Sequence, residues 1–159
     1  MRLLPLALLL LAACGEPDPR ARSAPAYVDA LEPLLYENGF LAERLVGTAA
    51  AIHGDSLRAD GVLTAWRTEV VPLARHLADQ AAITSPPGEW AAPHADLVSA
   101  WSARADAYQD IEIAIEEGDL ERWQDARRQA DAAKLSEEEW FRQMNRDRAP
   151  FRLTLDQFP

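Results

Sequence analysis

Apolar residues recur every three or four positions along most of this chain, the period of a helix that buries one face. Four such stripes can be followed. The first reads Val28, Leu31, Leu35, Asn38, Ala42, Leu45, Ala49 and Ile52. Asp29 with Glu32 predicts a capping box at its start, with Pro33 in the first turn. Asn38-Gly39 is a turn signal inside a stripe that continues in phase, so a bend or break is expected there. Gly54 and Asp55 end the segment. The second stripe is Leu63, Trp66, Val70, Leu73 and Leu77, with Asp60 as its N-cap and a kink expected at Pro72. The loop Thr84-Ser85-Pro86-Pro87-Gly88 closes it.

The third stripe is Trp90, His94, Leu97, Trp101, Arg104, Tyr108, Ile111 and Ile115. It stops at Gly118, and Asp119 is placed to cap the next helix. The fourth runs Leu120, Trp123, Ala126, Ala130, Ala133, Trp140 and Met144 to about Arg148. Pairs such as Arg127/Asp131 and Glu138/Arg142 suit a solvated face, and so do the carboxylates Glu112/Glu116 and Glu137/Glu138/Glu139. Short connections between long amphipathic helices predict an all-α fold, an antiparallel up-down four-helix bundle. After Pro150 the period changes to two: Phe151, Leu153 and Leu155 alternate, which predicts an extended C-terminal strap over the bundle.

An antiparallel arrangement also predicts contacts. Helices turning around Pro86-Pro87 place Glu69 opposite Arg104 and Pro72 near Trp101. Arg104 lies between aromatics in an apolar stripe, where an unpaired charge is costly, so a structural ion pair of Arg104 with Glu69 is expected. The turn at Gly118-Asp119 places Leu97 near Trp140 and His94 near Met144, with His76 and Asp79 approaching the same end. His94 opposite Met144 resembles the axial pair of haem-binding four-helix cytochromes in spacing alone. His76, His94 and Asp79 are the alternative metal ligands. The Glu-x-x-His pairs usual in bundle metal sites are absent from the sequence.

The N-terminus has a different grammar. Met1-Arg2 precedes an almost wholly apolar run from Leu3 to Leu11, then Ala12-Ala13-Cys14. One basic residue, a short apolar core and small residues before a cut site predict a secretory signal, too short to span a bilayer. Leu11-Ala12-Ala13-Cys14 resembles the lipobox of bacterial lipoprotein precursors. The resemblance implies cleavage before Cys14 and acylation of its thiol and new amino group. It gives residues 1–13 as signal peptide, 14–23 as lipid tether and 24–159 as the bundle domain. Asp after the cysteine favours inner-membrane retention in that family. The residue here is Gly15, which leans to the outer membrane, with the domain in the periplasm. Cys14 is the only cysteine, so no internal disulfide competes for it.

Removing residues 1–13 takes away Arg2 alone and moves the net charge from −10 to −11. Such a chain repels phosphate backbones, so no nucleic-acid partner is expected. No P-loop, GxSxG, HExxH or CxxCH motif occurs, and no serine sits at readable spacing from a histidine. The expected function is a non-catalytic, lipid-anchored binding or scaffolding bundle with no cofactor beyond the lipid on Cys14. The alternative is a small periplasmic haem or metal carrier using His94, Met144, His76 and Asp79. In an up-down bundle the end remote from the tether gathers Asp55, Asp60, Glu116, Glu117, Asp119 and Glu121, an acidic tip suited to a basic protein partner.

Overall fold

The chain begins its first helix earlier than its apolar stripe suggests. In the computed structural model, which describes residues 18–52 and 59–148, helix α1 spans Pro19–Ile52. Asp18 is its cap: the carboxylate Oδ1 accepts the Arg20 N–H at 2.9 Å. Pro19 takes the first helical position, where its missing N–H costs nothing. The stretch 19–23, expected as tether, is therefore helical, and the expected capping box at Asp29 and Glu32 lies mid-helix. Pro25 and Pro33 also lie within α1, both on its exposed side. Asn38-Gly39 is crossed without a break. Cys14, residues 53–58 with Asp55, and the strap segment 149–159 lie outside the described residues.

The second stripe is a composite helix. Helix α2 (Ala59–Ala65) runs into a π-turn at Trp66–Val70 and continues as α3 (Val71–Ile83). Asp60, expected as a cap, is the second residue of α2. The disturbance expected at Pro72 takes the form of this wide turn, in which the Val71 N–H reaches back to the Trp66 carbonyl. Proline has no N–H, and its ring crowds the carbonyl four residues back, so a locally widened turn relieves the clash. A 3-10 turn at Gly88–Trp90 leads into α4 (Ala91–Glu117), and α5 covers Leu120–Arg148. The described residues are thus all helical, with no strand among them.

Between α4 and α5 the chain reverses through a Schellman closure. Gly118 adopts φ +68°, and the Asp119 N–H returns to the Ala114 carbonyl at 2.9 Å. Asp119 then caps α5, accepting the Arg122 N–H at 3.0 Å.

Among the buried and half-buried positions, one seam on each long helix alternates by three and four. On α1 it is Ala24, Tyr27, Leu31, Leu34, Asn38, Leu41, Leu45 and Thr48. From the 3-10 turn into α4 the seam is Trp90, His94, Leu97, Trp101, Arg104, Tyr108, Ile111 and Ile115, and on α5 it is Trp123, Ala126, Ala130, Ala133, Glu137, Trp140 and Met144. A mean spacing of about 3.5 residues keeps one seam facing a neighbour along the whole helix, as in coiled coils. Buried indoles then tie helices together through their N–H groups. Trp66 donates to the Tyr108 carbonyl at 2.7 Å, Trp140 to the Pro93 carbonyl at 2.7 Å, and Trp90 to the Ser23 hydroxyl at 3.1 Å.

Two glycines report on this backbone with opposite sign. A Cβ at either Gly118 or Gly47 would meet nothing within 4 Å, so space plays no part. Gly118→Ala forces a side chain into the left-handed region and should lower unfolding free energy by about 1 kcal/mol. Gly47→Ala, in the helical backbone of α1, should raise it by about 0.5–1 kcal/mol. Urea denaturation of both variants checks the pair.

Candidate functional site

The fold brings one polar side chain from each of the three seams to one level. Asn38 comes from α1, Arg104 from α4 and Glu137 from α5. The Arg104 guanidinium donates from Nη1 to Glu137 Oε2 at 2.6 Å and from Nη2 to Asn38 Oδ1 at 2.7 Å. Asn38 Nδ2 donates to Glu137 Oε1 at 2.9 Å, and the Trp101 indole donates to the same oxygen at 2.8 Å. The Arg104 and Glu137 side chains are 7% and 9% exposed, so the pair is almost wholly withdrawn from water. Its stem runs beside Trp101, with the guanidinium carbon 5.6 Å from the ring centre. Arg104 Nε is the one buried side-chain nitrogen or oxygen without a partner among the described residues.

This corrects the expected partnership. Arg104 is paired with Glu137, not Glu69, which lies on the surface beside Arg44 at 3.2 Å. Glu69 sits inside the π-turn, where the extra residue changes the helical phase by about 100°. A register argument built on 3.6 residues per turn misplaces it. Glu137 was expected to face solvent with Glu138 and Glu139. The missing clue is the gap in the fourth stripe: position 137 is in phase between Ala133 and Trp140, and an apolar template passes over it.

The polar layer floors a groove between α1 and α5. A cavity of about 330 Å³ above it is lined by Leu35, Leu41, Leu45, Val46 and Phe141, with Asn38, Arg104, Tyr108 and Glu137 beneath and Lys134 and Glu138 at the rim. A neighbouring cavity of about 680 Å³ shares Leu45, Val46, Tyr108 and Lys134 and extends to Trp66, Ile111 and Trp123. Burial pushes the Tyr108 hydroxyl up to about 12, with Arg104 opposing and Glu137 adding to the rise. It stays protonated through the physiological range, able to hydrogen-bond but unable to act as a base. Arg127 stacks over Trp123, 4.9 Å from the ring centre, at the far end of the groove.

The other anticipated residues are engaged differently. His94 is buried, and both ring nitrogens are used: Nε2 lies 2.9 Å from the Ala81 carbonyl and Nδ1 3.1 Å from the Tyr27 hydroxyl. A carbonyl only accepts, so the bond to Ala81 places a proton on Nε2. Ligating iron or another metal would break one of these bonds. Met144 is fully buried in the core cluster. His76 is half-exposed and 3.3 Å from Glu37, and Asp79 is exposed. Among the described residues no group of three or more His, Cys, Asp or Glu side chains is gathered as for a metal. At the acidic tip, Glu116 pairs with Arg67 at 2.8 Å and Glu117 lies 3.4 Å from Arg122. Asp119 is committed to capping, and Glu121 is exposed. Glu112, expected with Glu116 in solvent, shares Arg67 at 2.8 Å.

Fold and site together define a class: a helical protein with a buried ionic layer beneath an apolar groove. A scan of protein-family models, a search of curated proteins and a search of solved structures each returned no match.

The ionic layer yields a graded prediction. Glu137→Ala strands a buried guanidinium and should cost about 3–5 kcal/mol. Glu69→Ala removes only an exposed pair and should cost less than about 1 kcal/mol. Chemical denaturation with a double-mutant cycle on Arg104 checks both: coupling belongs with Glu137, and none is expected with Glu69.

Proposed function

We propose that this protein is a lipid-anchored, non-catalytic binding or scaffolding module of the cell envelope, an antiparallel up-down four-helix bundle closed by an extended C-terminal strap. The observation that carries this reading is Leu11-Ala12-Ala13-Cys14, set directly after an apolar run and four residues before the Asp18 cap of α1. Acyl chains on Cys14 would hold the domain stably at a membrane. With α1 starting at Pro19, the residues between cysteine and helix reach only about 15 Å when extended. The bundle would therefore ride close to the lipid surface, and Gly15 favours the outer membrane.

Contacts along the helices support the up-down arrangement. Trp66 meets Tyr108 and Ala81 meets His94, so the composite helix from α2 to α3 opposes α4 in direction. Pro93 meets Trp140 and Asp110 meets Arg122, so α4 opposes α5. Arg20 lies 3.9 Å from Asp147 and Asn38 bonds Glu137, so α1 opposes α5. A binding role fits the way the interior polar groups are tied to one another, and the open groove is a recognition surface. The acidic tip is a second docking surface for a basic partner, weakened where Arg67 and Arg122 neutralise Glu116 and Glu117. No described helix is long and apolar enough to cross a membrane, so in this reading attachment rests on Cys14.

Intact-mass analysis of the protein extracted from the native envelope tests the anchor. The expected species begins at Cys14 and carries acyl mass, and Cys14→Ser loses that mass and leaves the membrane fraction. An unmodified Cys14 in the wild-type envelope protein would overturn the reading.

A further inference from the structure

The geometry points to an occupant for the groove between α1 and α5: the C-terminal segment 151–156 of this same chain, seating Phe151, Leu153 and Leu155 on the apolar lining and bringing Asp156 beside Lys134. The inference rests on the strap proposed above and goes beyond it by fixing where the strap lies and which charge meets which.

Length supports this seat. Helix α5 is described to Arg148, beside the start of α1, where Arg20 lies 3.9 Å from Asp147. Lys134 stands fourteen residues back along α5, about 21 Å at helical rise. Asp156 follows Arg148 by eight residues, about 26 Å when extended. The difference leaves about 5 Å for the reversal at Ala149-Pro150, and proline there stops the helix from continuing. A strand laid antiparallel to α5 thus brings Asp156 to the level of Lys134.

Chemistry supports it as well. The groove is apolar along Leu35, Leu41, Leu45 and Phe141, and Val46 on its wall is 71% exposed. In an extended segment Phe151, Leu153 and Leu155 share one face, and Asp156 points from the other. With the apolar face inward, Asp156 faces the rim. Lys134 is there, its side chain 70% exposed and, among the described residues, held only by Glu138 at 3.8 Å. It is also the single lysine in the sequence.

That uniqueness makes the test clean. Carbodiimide joins carboxylates to amines without a spacer, and Lys134 is the only side-chain amine. On the full chain at micromolar concentration, peptide mapping should find Lys134 joined to Asp156 within one molecule, and Asp156→Asn should abolish that product. The neighbouring Glu138 serves as internal control. Lys134 joined to Glu138 alone, or to Asp156 of a second copy in a covalent dimer, would overturn the proposal. Amide hydrogen exchange separates the two layers of the argument. Protection of 151–155 without the Lys134–Asp156 product means a strap seated elsewhere. No protection means that the strap itself fails. Leu153→Asp gives an independent readout that leaves the helices untouched. It should release the segment and raise the fluorescence of a groove-binding apolar dye several-fold at unchanged helical circular dichroism, and an unchanged signal would contradict the seat.

Discussion

A buried arginine and glutamate, held 2.6 Å apart with an asparagine across both, fix how three helices of this protein meet. The rest of the core is permissive. Seams spaced by three and four residues fit one another at several registers, and the alanines on α5 would slide past α4 with little steric objection. A slip of one turn would separate Arg104 from Glu137 and leave each charge buried alone, at a cost of several kcal/mol. The ionic layer is thus better understood as a register device than as a source of stability. Well-packed apolar side chains of the same volume would be as stabilising or more so.

The groove is a consequence of that layer. Small residues at Ala126, Ala130 and Ala133 let α5 lie close against α4, while the wide indoles of Trp101 and Trp140 fill the seam toward its other end. Helix α1 is anchored to this pair by Asn38 at mid-length and by Tyr27 near its start, and Ser23 ties it to Trp90 in the 3-10 turn before α4. Toward its C-terminal half, α1 and α5 leave an apolar-walled groove between them among the described residues. A charged floor, an apolar wall and a rim with Lys134, Glu138, Arg127 and Asp131 make a surface that recognises shape and apolar content more than net charge.

Much of this was legible in the sequence, and the misses have physical causes. The eight positions of the third stripe are all buried or half-buried along α4 and the 3-10 turn that leads into it, because a long helix with one buried side writes its period plainly. Gly118 and Asp119 closed and capped as read, since a left-handed residue and an N-cap have narrow residue preferences. The start of α1 was hidden because Asp18-Pro19, a cap and first-turn pair, sits in a stretch whose composition resembles a linker. Arg104 stood out as a charge needing a partner, yet its partner did not: one residue added by the π-turn carried Glu69 away, and Glu137 occupied a core position that an apolar template does not expect. His94 looked like a ligand by spacing, whereas local geometry gives both its nitrogens to Ala81 and Tyr27.

If the ionic layer sets register, replacing it by apolar residues should separate stability from uniqueness. The variant Asn38→Leu, Arg104→Met, Glu137→Leu should retain helical content and a denaturation midpoint equal to or above the parent. Its amide proton–nitrogen correlation spectrum should show exchange-broadened or duplicated signals along α1 and α5, the mark of competing registers. A single, sharp and fully dispersed set of signals from that variant would contradict the claim and return the layer to the role of an ordinary buried ion pair.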